Sequence, residues 1–135
     1  MSFELHPRLA ADTTLVLRWS LSCVLLMNDR RWPWLILVPE QPDLSELHDL
    51  SPADRTTLME EIAHASAALK QTTQAEKINV GALGNLVPQL HVHVVARRCD
   101  DPAWPGPIWG VGKPEPYGDD LDIVRQALKD GLQRD

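Results

Sequence analysis

The segment Pro88-Gln89-Leu90-His91-Val92-His93-Val94-Val95-Ala96-Arg97 constrains this chain more than any other. Polar and apolar residues alternate along it, and a period of two marks a strand with two unlike faces. Leu90, Val92 and Val94 point to a core, while Gln89, His91 and His93 share the opposite face. Three polar side chains in a row are costly to cover without a purpose. A plain surface strand would carry Lys, Thr or Glu there. The fold must therefore present two imidazoles side by side from one strand, Leu90 to Ala96.

The other elements follow from period and punctuation. Leu15, Val16 and Leu17 form a first apolar group; Cys23 to Met27 is a short β-rich run that reads as a strand. Asn28-Asp29-Arg30-Arg31 is a turn, and Trp34 to Val38 is a strand stopped by Pro39, so the two strands predict a hairpin. Ser51 suits an N-cap, Pro52 the first helical position, and Asp54 the acid of a capping box. Leu58, Ile62, Ala65 and Leu69 then fall at helical spacing, which predicts a helix over 52–71. Lys77 to Val80 reads as a strand and 81–85 as a loop. Residues 99–118 are too rich in Pro, Gly and Trp to be regular for long. Asp119 or Asp120 caps a last helix with Leu121, Val124, Leu128 and Leu132 on one face. Hairpin-linked strands with helices packed on them make an α+β domain with an antiparallel sheet.

A chain of 135 residues is one domain long and can bury a core without disulfides. Its net charge of -6 argues against a nucleic-acid or membrane-surface partner, both of which need basic patches. Two cysteines, Cys23 and Cys99, cannot build a Cys-rich zinc site and mark no oxidising compartment. Met1 to Pro7 lacks the features of a signal peptide, and the longest apolar run, Trp32 to Pro39, is too short to span a bilayer. The expectation is a cytoplasmic protein. No phosphate-cradling glycine loop of the P-loop or dinucleotide type is present.

Two imidazoles on one strand face, roughly 7 Å apart at Cβ, can reach one phosphorus together. One can attack while the other holds an oxygen or serves the leaving group. Histidine suits the attack because an unperturbed pKa of ~6.5 leaves a neutral nitrogen at pH ~7. Nε2 must then be free, with the Nδ1 proton donated to something fixed.

Leu90-His91-Val92-His93-Val94-Val95 resembles the motif of the histidine triad (HIT) superfamily, His-φ-His-φ-His-φ-φ with φ apolar, with Gln89 in place of the first histidine. The resemblance covers residues 15–98 of a single domain spanning 1–135. It is nearest to a bacterial subgroup with a Gln-φ-His-φ-His form and a Trp-Pro-Gly-Pro-φ-Trp-Gly tail, here residues 104–110. It implies a HIT-like α+β fold with an antiparallel sheet of about five strands and two helices, and usually a homodimer. It implies a nucleotide hydrolase or nucleotidyl transferase acting at an α-phosphate, with no cofactor and no metal. His91 then maps onto the nucleophile, oriented by the backbone carbonyl of Gln89, and His93 onto the phosphate or leaving-group contact. By the same resemblance Asn79 and Asn85 match phosphate-side positions, and one of Asn28 and Asp29 matches the ribose contact. Leu86 replaces a frequent Ser or Thr, and Trp34 replaces a frequent histidine.

Other readings compete at several places. His91 and His93 alone could ligate a metal, but His6, His48 and His64 lack ligand spacing. Gln89 and Leu86 also suit a nucleotide-binding scaffold with little turnover. Turn chemistry explains Asn79 and Asn85 nearly as well as phosphate contact. Trp104 and Trp109 fit packing better than base stacking. Arg97 and Arg98 read as a surface strand end. A homodimer is expected from the apolar surface of Cys23 to Met27 and of the Trp-rich tail.

Overall fold

The computed structural model describes residues 2–134. Five strands form one antiparallel sheet: β1 (Thr13–Arg18), β2 (Ser22–Met27), β3 (Trp34–Pro39), β4 (Lys77–Gly81) and β5 (Val92–Arg97), in the spatial order β1-β2-β3-β5-β4. The hairpin β2–β3 and the adjacency of β5 to both β3 and β4 place the histidine strand inside the sheet, between β3 and the edge strand β4. Three α-helices accompany the sheet: α1 (Pro7–Asp12), α2 (Pro52–Thr73) and α3 (Leu121–Leu132).

The two expected helices form where their periods place them; Ser51 caps α2 as expected, whereas Asp120 stands at the start of α3 without a side-chain cap bond. The Ser51 hydroxyl accepts the Asp54 N–H at 3.1 Å, and Pro52 opens α2. The Asp54 carboxylate accepts from Gln41 Nε2 at 2.8 Å, tying the helix start to the loop after β3. α2 and α3 cover one sheet face, where Leu58, Ile62, Ala65, Leu69, Leu128 and Leu132 meet Val24, Leu26, Leu35, Leu37, Val92 and Val94.

The second face is covered differently. Cys23, Leu25, Trp34, Ile36, Val38 and Val95 pack under Leu9, Trp32, Val87 and Ile108, which come from α1, loops and the proline-rich tail. Both faces of β2 and β3 are therefore buried, which is why these strands read as continuous apolar runs. The same fact removes one of the two surfaces expected to favour a dimer: Cys23 to Leu26 lie inside the chain, while Trp104 of the tail stays exposed. Further exposed apolar side chains include Leu47, Met59, Val80, Leu83 and Leu86.

Two elements were not legible. α1 spans only six residues, too few for a helical period, and is started by Pro7 with the His6 imidazole accepting the Arg8 N–H at 3.1 Å. β1 carries a bulge: its pairing with β2 shifts between Leu15 and Leu17 and blurs the alternation.

Candidate active site

His91 stands immediately before β5, and His93 is its second residue. Their rings meet edge to face with centroids 4.9 Å apart, and each is only 6% exposed. His91 Nδ1 lies 2.6 Å from the backbone oxygen of Gln89. A carbonyl can only accept, so Nδ1 carries a proton, and in the neutral ring the lone pair is then on Nε2.

The Gln89 side chain does separate work. Its Oε1 accepts from the His6 N–H at 2.8 Å, and its Nε2 donates to the Glu4 carbonyl at 2.8 Å. One amide thus clasps the chain leading into α1, pairing a donor and an acceptor with two backbone groups.

His93 is fixed by a ring that the sequence marked only as a departure. Trp34 Nε1 donates to His93 Nδ1 at 2.9 Å, a buried hydrogen bond across the β3–β5 pair. Trp109 places its ring edge-on to His93 with centroids 5.4 Å apart. Gly81, the cross-strand partner of His93, makes room for it: a Cβ there would lie 3.2 Å from the Trp109 ring. Burial first, and the neighbouring His91 second, push the His93 imidazole down to about 3. His93 is therefore neutral across the physiological range.

Both histidines line a cavity of about 420 Å³ with Arg8, Leu9, Asp12, Met27, Trp34, the loop from Leu83 to Val87, Trp109 and Gly110. A second cavity of about 510 Å³ adjoins it, sharing Arg8, Asp12, Met27, Trp34 and Gly110, and reaches Asn28, Asp29 and Arg31. Both volumes suit a small molecule. The pair forms a trough with the histidines at one end and the turn after β2 at the other.

The expected site residues separate along this trough. Asn85 joins the histidines in the first cavity, and Asn28 and Asp29 line the second. Asn28 Oδ1 accepts the Tyr117 N–H at 2.9 Å. Asp29, 1% exposed, pairs with Arg31 at 2.8 Å and accepts the Glu115 N–H at 3.3 Å. Burial opposes its ionisation, but Arg31 and the Glu115 N–H together outweigh burial and hold its carboxyl below the usual range. The turn thus anchors the tail across the trough.

Asn79 does not line either cavity; its Oδ1 accepts from Arg97 Nη1 at 2.7 Å. Arg97, expected at the surface, is 1% exposed. It pairs with Asp101 at 2.8 Å through a two-pronged contact, and its guanidinium lies over the Trp104 ring at 5.6 Å. Asp101 also accepts the Ala103 and Trp104 N–H groups, so the pair starts the tail that delivers Trp109 to His93. Sequence reading missed Arg8 and Asp12 with α1. Trp34 could have been found, because it lies on the strand expected beside the histidines and its indole N–H can only donate.

Comparison with known proteins agrees with this geometry. The HIT domain family model matches residues 8–100. A search of the curated proteins found no match. Among solved structures, a histidine triad protein from Sinorhizobium meliloti 1021 is 50% identical, with a TM-score of 0.90 over 94% of both chains. One from Bradyrhizobium japonicum is 44% identical, with a TM-score of 0.94 over 98% of this chain and 99% of that one. One from Marinobacter aquaeolei VT8 is 42% identical, with a TM-score of 0.95 over 98% of both. With its histidine pair, its five-stranded sheet and these relatives, the chain belongs to the histidine triad (HIT) family.

Proposed function

We propose that this protein hydrolyses a nucleoside phosphate derivative at its α-phosphorus, through a nucleotide covalently held on His91. The observation that carries this reading is the 2.6 Å contact from His91 Nδ1 to the Gln89 carbonyl, which leaves Nε2 as a lone pair beside His93 in a cavity. Family members are generally nucleotide-binding hydrolases and transferases, which favours the same chemistry. In this reading His93 donates through Nε2 to an oxygen on the reacting phosphorus, and Asn85 contributes an amide from the loop. The nucleoside lies toward the turn, with Asn28 or Asp29 beside the ribose. Catalysis comes from positioning and from donors aimed at developing charge.

No group of three or more His, Cys, Asp or Glu side chains suited to a metal lies together among the described residues. No helix among them is long and apolar enough to cross a membrane. We assign the protein to the cytoplasm, as is general for the family. We also assign it a homodimeric state, built on the free edge of β4 with Val80, Met59 and Leu47 rather than on Cys23 to Met27.

The reading is tested by incubating purified protein with adenosine nucleotides carrying different α-phosphate substituents. Release of the nucleoside monophosphate, abolished in His91→Ala, supports it. Nucleotide binding without turnover supports a scaffold instead.

A further inference from the structure

The Trp34–His93 hydrogen bond restricts which leaving group the site can release. An indole N–H only donates, so His93 Nδ1 must be the acceptor. Neutral His93 therefore carries its one proton on Nε2. To become an imidazolium it would need a second proton on Nδ1, facing the indole N–H donor to donor.

We propose that Trp34 is a positioning residue that holds His93 as a neutral Nε2–H donor, so that the site takes nucleotidyl anhydrides with acidic leaving groups and discriminates against phosphoramidates. This inference rests on the hydrolase reading above and selects the substrate class within it.

The steps balance without a general acid. The His91 Nε2 lone pair attacks the α-phosphorus, and the bond from phosphorus to the bridging oxygen breaks. That oxygen keeps the electron pair and leaves as an anion, a phosphate, sulfate or carboxylate, accepting a hydrogen bond from His93 Nε2. The nucleotidyl-imidazolium keeps the Nδ1 proton on the Gln89 carbonyl. Water then attacks phosphorus, the bond to Nε2 breaks, neutral His91 is restored, and one proton passes to solvent with the monophosphate.

An amine leaving from phosphorus is different, because it must gain a proton as the bond breaks. Neither histidine can give one. The His91 Nδ1 proton is held by the carbonyl of its own segment. Loss of the His93 Nε2 proton would leave an anionic ring, since the indole does not yield its own. The remaining ionisable groups lining the cavity are Arg8 and Asp12. They pair with each other at 3.8 Å, with side chains 60% and 51% exposed. Trp109 and Gly81 add no proton.

The test compares kcat/KM for three adenosine substrates: the 5′-phosphosulfate, the p-nitrophenyl 5′-ester and the 5′-phosphoramidate. In the wild type the first two should exceed the third by at least about 100-fold, with the gap kept down to about pH 5.5. Trp34→Phe removes the donor that fixes the tautomer, so the Nδ1–H form of neutral His93 should become populated in the nitrogen-15 spectrum. The phosphosulfate should lose at least about tenfold in kcat/KM, while burial, which Phe keeps, still disfavours the imidazolium. Nitrogen-15 NMR of the wild type gives a second reading independent of turnover. It should show His93 with a bare Nδ1 and a protonated Nε2 from about pH 5 to 8. If Trp34→Phe does not fold, the wild-type rates and spectrum decide. Comparable phosphoramidate and phosphosulfate rates, or a protonated Nδ1, overturn the inference. If the nucleotide still appears on His91 in that case, the hydrolase reading stands without it. If no substrate turns over, the hydrolase reading fails, and the substrate class fails with it.

Discussion

His91 donates its Nδ1 proton to the carbonyl of Gln89, 2.6 Å away, and Gln89 is the residue that departs from the family motif. The contact uses the backbone, so the departure leaves the orientation of His91 intact. The side chain is instead engaged with Glu4 and His6. Gln89→His should therefore change kcat/KM by less than about tenfold, or ~1.4 kcal/mol. An imidazole cannot match both backbone groups, so limited proteolysis should cut the variant faster near residues 4–8. A gain in activity of several orders of magnitude would mark the natural protein as a disabled enzyme.

Acid should destabilise this protein in two stages. His93 is held near 3 in the folded state against ~6.5 when unfolded, so the unfolded chain binds the extra proton first. Stability from this residue is full above the unfolded value and declines as pH falls from there toward 3. The loss is about 2 kcal/mol by about pH 5. Burial opposes ionisation of Asp101, but Arg97 and the Ala103 N–H outweigh it and hold the carboxyl well below its usual range. Its share is lost only below about pH 4. Urea titrations across pH should show His93→Gln removing the first stage and Asp101→Asn reducing the second, to which Asp29 also contributes.

The sheet, the two long helices and the histidine face were legible because period marks them, and at α2 the cap agrees. Ser51 and Pro52 start α2 where their chemistry says they should, and β5 keeps its alternation. The rest depended on contacts far apart in sequence. Nothing local shows that Arg97 turns inward to Asp101 and Asn79, or that Trp34 reaches His93 across 59 positions. Asn79 lies on the face expected of it, but its amide serves a buried guanidinium rather than the cavity. α1 escaped because six residues carry no readable period.

Arg97 and Asp101 form a buried pair, and removing one partner strands the other's charge. Arg97→Met should cost about 3–5 kcal/mol by chemical denaturation. Because the pair anchors the tail bearing Trp109, a milder Asp101→Asn variant that still folds should alter the Trp109 environment in fluorescence and lower kcat. A variant as stable as the wild type would contradict this role for the pair.

The exposed apolar side chains beside the β4 edge predict a dimer. Light scattering at micromolar concentration should give about twice the chain mass of 15.1 kDa. Met59→Glu with Val80→Glu should halve that value. A wild-type mass near 15.1 kDa contradicts the assignment.

The central claim is that His91 becomes covalently nucleotidylated. Reaction mixtures quenched in mild base within the first turnovers and digested should show the peptide bearing His91 heavier by one nucleotidyl group. His91→Ala should lack that peptide adduct and lose at least ~10³-fold in kcat/KM. Turnover that proceeds with no adduct on His91, and survives in His91→Ala at near-normal rate, would contradict the account.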